Sequence, residues 1–429
     1  MNEGVDENKD LKRAALSFIV LMGVVSLFSD MTHEGGKSIL GAYLSLTGAS
    51  AAVVGFVSGF GELVGYSLRC ATGRLADRTK RYWLLTIVGY AVDLLAVPAL
   101  ALVPENGWLW AAALIVVERA GKAVKKPAKD TLLSFAAAQN GVGRSFALQE
   151  FLDQLGAFLG PVALFAVMYF KGSGDSLTDY RRCFALLAVP ALVTMGLLLA
   201  ARRLFPQPEN FEPDTKKAAV GNFASGKKFT LYIAGISLFA LGFMDFAMIS
   251  MHVSRRGLMS PGALPLLYAA AMGVDAAAAL AFGWLYDRRG MKALALSALL
   301  TAPFSALIFL LPGGVALYVG AALWGAGMGA QESILKAAVA TLVPKERRSS
   351  GYGSFQTAFG VCLFAGGWLM GCLYDRSPAG MAIFSMSAEL GAAALFGVRR
   401  GRSGAAKEKP PRKRAGTGRQ SPESADAVL

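Results

Sequence analysis

Charge is scarce in this chain and histidine scarcer. Only 17% of its 429 residues are Asp, Glu, Lys or Arg, where a soluble protein carries roughly a quarter. The two histidines, His33 and His252, are followed five residues on by Ser38 and Gly257 rather than by an acid. That removes the H-x-x-x-x-D pairing of a membrane-bound transferase. Four cysteines (Cys70, Cys183, Cys362 and Cys372) lie in or beside apolar runs, with no metal spacing and no extracellular pairing pattern, and read as packing residues. No polar stretch is long enough to hold a separate soluble domain. The chain is therefore expected not to be an enzyme and to need no cofactor or metal. A membrane-embedded transferase or a non-transporting sensor is the remote alternative.

What is present is apolar sequence: 54% of residues are hydrophobic, and the mean hydropathy is +0.46. The runs approach the roughly 20 residues that cross a bilayer. Within lipid every backbone polar group must be satisfied internally, so such runs are helices or barrel strands. Ala111 to Val117 and Phe184 to Leu199 lack the alternation of a barrel strand. The expectation is an all-α integral membrane protein with twelve transmembrane helices: 14–43, 51–72, 83–103, 108–136, 144–170, 181–201, 230–253, 263–284, 293–311, 315–343, 351–373 and 379–398. The first ten residues are acidic and the first run is too long for a cleavable signal, so the first helix is expected to remain as the insertion signal.

Lys and Arg favour the cytoplasmic side. With the N-terminus inside, 35 of the 43 basic residues fall at cytoplasmic ends and seven outside. Both termini are thus expected to be cytoplasmic, in the plasma membrane of a bacterium. The net charge of +14 follows from this distribution and gives no reason to expect nucleic acid as a partner. The expected organisation is a short N-terminus (1–13), a six-helix bundle (14–201), a Pro- and Lys-bearing linker (202–229), a second bundle (230–398) and a disordered basic tail (399–429).

The two bundles repeat one another. Phe28-Ser29-Asp30-Met31 recurs as Phe243-Met244-Asp245-Phe246, and Gly73-Arg74-Leu75-Ala76-Asp77-Arg78 as Gly283-Trp284-Leu285-Tyr286-Asp287-Arg288. Leu148-Gln149 with Gly160 recurs as Phe355-Gln356 with Gly367. Three matches in order at nearly one offset indicate a duplication, and paired repeats are a transporter architecture. Gly283, Asp287, Arg288, Gly290 and Lys292 form a G-x-x-x-D-R-x-G-x-K pattern; the first copy keeps Gly73, Asp77, Arg78 and Arg81, with Lys80 at the second glycine. On these residues the chain resembles the major facilitator superfamily. The resemblance implies twelve helices in two six-helix pseudo-repeats, gating contacts at these loops, and a cavity lined by the first, fourth, seventh and tenth helices. Gly156, Gly160 and Pro161 resemble part of the fifth-helix motif of exporters in that family. Gly371-Cys372-Leu373-Tyr374-Asp375-Arg376 looks like a third gate motif, but topology puts it on the far side, and the likeness reads as coincidental.

Charges inside the spans are costly and mark function. Asp30, His33, Glu34 and Lys37 share one helical face, beside a Gly35-Gly36 pair that permits a bend. Asp30 and Glu34 are the candidate coupling acids, whose charge would switch with exposure or occupancy; a structural pairing with Lys37 is the alternative. A divalent ion on Asp30, His33 and Glu34 is disfavoured because no second cluster accompanies them. Arg119, Lys122, Lys126 and Lys129 form a basic stripe expected to face Gln149, Glu150, Asp153 and Gln154, while snorkelling to headgroups accounts for Lys125, Lys126 and Lys129. Glu62, Asp245, Gln331, Glu332 and Gln356 complete the proton- or substrate-binding candidates. Lys122, Glu150 and Asp153 join Gly73, Asp77, Arg78, Arg81, Gly283, Asp287 and Arg288 as gating candidates. Asp93, Asp275 and Glu389 carry no specific expectation. The function expected is proton-coupled export of a small organic molecule by alternating access, by a monomer in the lipid bilayer. Proton-coupled import is the alternative.

Overall fold

The computed structural model describes residues 3–140, 142–171, 175–211, 227–311, 313–331 and 348–397. Among these residues there is no strand, and fifteen α-helices follow one another. They are α1 (Glu3–Leu46), α2 (Ala51–Thr79), α3 (Tyr82–Ala99), α4 (Trp108–Asn140), α5 (Val142–Lys171), α6 (Ser176–Leu186) and α7 (Ala188–Leu204). After the linker come α8 (Lys227–Gly242), α9 (Phe246–Arg256), α10 (Leu264–Arg289), α11 (Met291–Thr301), α12 (Phe304–Phe309) and α13 (Gly314–Ala330). α14 (Arg348–Arg376) and α15 (Pro378–Gly397) complete them. Ten described helical stretches are long and apolar enough to cross a membrane. Their outer faces carry bare apolar side chains such as Leu102, Phe170, Leu280 and Val315. Such faces are stable only against lipid. The chain is a multi-pass membrane protein.

Several expected boundaries shift for local reasons. The seventh expected span is two helices, because Asp245 leaves the helix and its carboxylate accepts from Ala247 N–H at 2.9 Å, starting α9 afresh. The sixth breaks at Leu187, ahead of Pro190, and the ninth at Ala302-Pro303. Part of the tenth lies outside the described residues. α1 runs without a break through Gly35-Gly36. These glycines instead face Leu187, the Gly160 backbone, Val97 and Phe184, where larger residues would collide.

α4 runs unbroken through Pro127, which has no N–H to offer the Ala123 carbonyl. The Thr72 hydroxyl of α2 donates to that carbonyl at 2.7 Å, so one helix repairs another. α3 and α4 approach closely at Gly89 and Gly121; a Cβ on either would strike the opposing backbone at 2.6 Å. Gly156 and Gly160 of α5 sit against the carbonyls of Leu27 and Met31 in α1. The exporter-like glycines thus form a close small-residue seam between α1 and α5.

Candidate functional site

A cavity of about 340 Å³ lies between the helices of the two halves, within the size range of small-molecule sites, roughly 300–1,000 Å³. α1 lines it from Ser26 to Lys37, α2 from Glu62 to Arg69, and α4 from Arg119 to Lys129. Glu150, Asp153 and Gln154 enter from α5. The second half presents Phe243, Tyr268, Trp324 and Phe359 with Asp245, Asp275 and Gln331. Among the described residues, the lining cations come from the first half, and the wall opposite is aromatic and acidic. The lining ends at Lys37 on α1 and begins at Glu62 on α2. The cavity thus extends away from the α1–α2 turn.

Most of the charge is neutralised in pairs. Arg119 reaches Glu62 at 3.1 Å and its neighbour Glu118 at 3.3 Å, and Lys122 reaches Glu118 at 3.1 Å. Lys37 sits 3.8 Å from Glu34, whose carboxylate also accepts a hydrogen bond from Tyr268 of the second half. Such pairing is what permits charges to be held out of water. Asp30 differs: it lines the cavity, and no ion pair or hydrogen bond to it is present among the described residues.

His33 does not share that cavity face. Its ring nitrogens lie 3.2 Å from Asp93 and 3.0 Å from Glu118, inside the first half. Lys125 joins them, at 2.5 Å from Asp93 and 3.1 Å from the Ser29 hydroxyl, with its ammonium 3.9 Å from the Tyr90 ring centre. Lys125 is thus a buried, paired cation and not a snorkelling one. Lys129 likewise turns inward, to the Ser26 hydroxyl at 2.6 Å. Sequence reasoning missed the Asp93–Lys125 pair. The available signal was Gly89 and Gly121, placed one helical turn from each partner.

The remaining candidates divide. Glu62, Arg119, Lys122, Glu150, Asp153, Asp245 and Gln331 all line the cavity, whereas Gln356, on α14, does not. The basic stripe and the α5 acids face one space, but the described ion pairs of Arg119, Lys122 and Lys125 go to α2, α3 and α4, not to α5. Asp153 accepts instead from Gln149 at 2.7 Å. Glu332 lies outside the described residues, as does the side chain of Asp287. Gly73, Asp77 and Arg78 end α2, and Gly283 and Arg288 end α10. Arg288 stacks on Trp284 at 3.8 Å. The two turns do differ: Lys80 is left-handed (φ 55°, ψ 14°), whereas Gly290 (φ 55°, ψ −133°) occupies a region open only to glycine. Arg81 follows as the N-cap of α3.

The third G-x-x-x-D-R stretch joins the two halves. Asp375 accepts from the backbone N–H groups of Ala51 and Ala52 at 3.1 and 2.9 Å, across the two halves. Topology alone could not reveal that this acid reaches the other half.

Paired helical halves around a charged, membrane-embedded cavity define the class of secondary carriers. The family model for the Major Facilitator Superfamily matches residues 14–367, and the chain belongs to that superfamily. An uncharacterized protein of Mycobacterium tuberculosis is 39% identical over 399 residues, covering 90% of this chain and 95% of the relative. An uncharacterized MFS-type transporter of Methanocaldococcus jannaschii is 23% identical over 392 residues, covering 88% and 93%. Among solved structures, the nucleoside transporter NupG superposes with a TM-score of 0.68 at 13% identity, covering 89% of this chain and all of that one. That likeness is one of fold.

Proposed function

We propose that this transporter couples the movement of a small organic molecule to protons and runs as an exporter, by proton antiport. It resides as a monomer in the bacterial plasma membrane, with twelve spans and both termini in the cytoplasm. The observation that carries the reading is Asp30, a cavity carboxylate with no described ion pair or hydrogen bond in a site where the other acids on α1 and α2, Glu34 and Glu62, are paired. A carboxylate held in a membrane protein without a direct partner is costly when charged, and a proton or a cationic group relieves that cost. A proton on one stroke and a substrate on the other satisfy that requirement in turn. Glu34 adds a link between halves, since its partners Lys37 and Tyr268 come from different halves.

The test uses proteoliposomes carrying an interior pH dye and a library of small organic compounds. An active compound added outside should make the interior more alkaline as it exchanges for protons. Asp30→Asn should abolish the pH signal while leaving the protein folded, and Glu34→Gln should weaken it. Acidification instead of alkalinisation would favour the symport alternative. Substrate movement with no pH change, equal in wild type and both variants, would sink proton coupling.

A further inference from the structure

We propose that Asp375 and Arg255 form a latch at the closed end of the bundle, gripping the α1–α2 turn, and that this latch sets how often the carrier opens on that side. The inference rests on the transport reading, because opening and closing at alternate ends is how a carrier of this kind works.

Both residues belong to the second half and both hold the first. Asp375 stands in the last turn of α14 and binds the amides of Ala51 and Ala52, the first two residues of α2. Those N–H groups have no partner within their own helix, and a carboxylate there also meets the positive end of the helix dipole. Arg255, in the last turn of α9, donates to the Ser45 hydroxyl and to the Ala49 carbonyl, each at 2.7 Å. Its guanidinium lies 3.6 Å from Asp375. The four-residue turn between α1 and α2 is thus gripped from both sides, the first amides of α2 by the carboxylate and Ser45 and the Ala49 carbonyl by the guanidinium.

The spacing of the motif explains its form. Gly371 precedes Asp375 by one helical turn and lies on the same face, where a Cβ would run into the Ala51 backbone. Only glycine lets α14 come close enough for the carboxylate to reach the amides. Gly55 and Gly367 extend this close seam one turn deeper. His252 and Tyr374, bonded at 2.8 Å, tie α9 to α14, so acid and base arrive as one unit. The side chains of Asp375 and Arg255 are each 33% exposed, unlike the buried pairs deeper in the first half. Water can replace these contacts when they part. The latch is therefore strong enough to bias the closed state and wet enough to release.

Pulsed electron paramagnetic resonance on the full chain in lipid nanodiscs tests this. The background lacks the native cysteines, and nitroxides are placed at Leu46→Cys and Ala379→Cys, both exposed beside the latch. A second pair at Thr79→Cys and Arg289→Cys reports on the opposite end. Asp375→Ala and, separately, Arg255→Ala should raise the long-distance population of the first pair at least roughly five-fold, the low end of ordinary coupling between sites. The same variants should shorten the second pair. Unchanged distances at the first pair in both variants would overturn the latch, as would lengthening there without shortening at the other end. Failure of the transport reading is distinct: wild type would move no compound in proteoliposomes even though its distances responded to the variants.

Discussion

Lys125 and Asp93 illustrate how a charge is tolerated within an apolar bundle. Both are buried and ion-paired with each other, with Ser29, His33 and Tyr90 packed around the Lys125 ammonium. Removing one partner leaves the other charged and desolvated, which in buried pairs costs about 3–5 kcal/mol. Lys125→Met is therefore expected to lower the melting temperature in detergent markedly. The double variant Lys125→Met/Asp93→Asn should recover much of that loss, which differential scanning fluorimetry would read directly. Asp30→Asn should behave in the opposite way. It removes an acid with no described partner, so it should leave stability nearly unchanged while abolishing the substrate-triggered pH response.

At the scale of elements, glycine positions decide which helices may touch. Gly121 of α4 faces the Asp93 backbone so closely that a Cβ there would lie 2.6 Å from its nitrogen. Gly121→Ala must push α3 from α4, at a cost of about 1–3 kcal/mol for overpacking. It should also stretch the Lys125–Asp93 pair, so its effect should be strongly non-additive with Lys125→Met in a double-variant cycle. The repair of α4 at Pro127 makes a second prediction. Thr72→Val removes the hydroxyl that serves the Ala123 carbonyl, and should destabilise by about 1 kcal/mol. Placing alanine at position 127 as well should cancel that loss, because the restored N–H takes over the carbonyl. Thermal melts of the two variants and their combination would check this.

At the scale of the molecule, a run of close contacts between the halves closes the end that carries the α1–α2 turn. Gly41 meets Ala247, Gly59 meets Phe364, and Arg255 and Asp375 hold the α1–α2 turn. The cavity extends the other way, past Lys129 and Arg69. On the proposed topology, with the termini inside, the latched end faces outward and the cavity extends toward the cytoplasm. Single cysteines at Thr79 and Arg289 should then react with a membrane-impermeant maleimide only in inside-out vesicles. A cysteine at Ala379 should react only in right-side-out ones. The opposite pattern would invert the topology.

Much of this was legible in the chain itself. Long apolar runs with few charges leave helix as the economical way to bury a backbone in lipid, and the repeat of Asp30 in Asp245 marks a duplicated bundle. The acids of α1 and the stripe on α4 could be placed on faces from their spacing alone, and most of them do line one cavity. Spacing is a property of one helix, however, and a partner belongs to another. That His33 turns to Asp93 and Glu118, that Lys125 is buried, and that Asp375 caps α2 from 324 residues away are all matters of which helices pack together. The reason is physical: a membrane helix satisfies its backbone alone, so its local sequence specifies the helix but not its neighbours. Glycine seams and charge pairs between helices make that choice, and they exist only once the bundle is assembled.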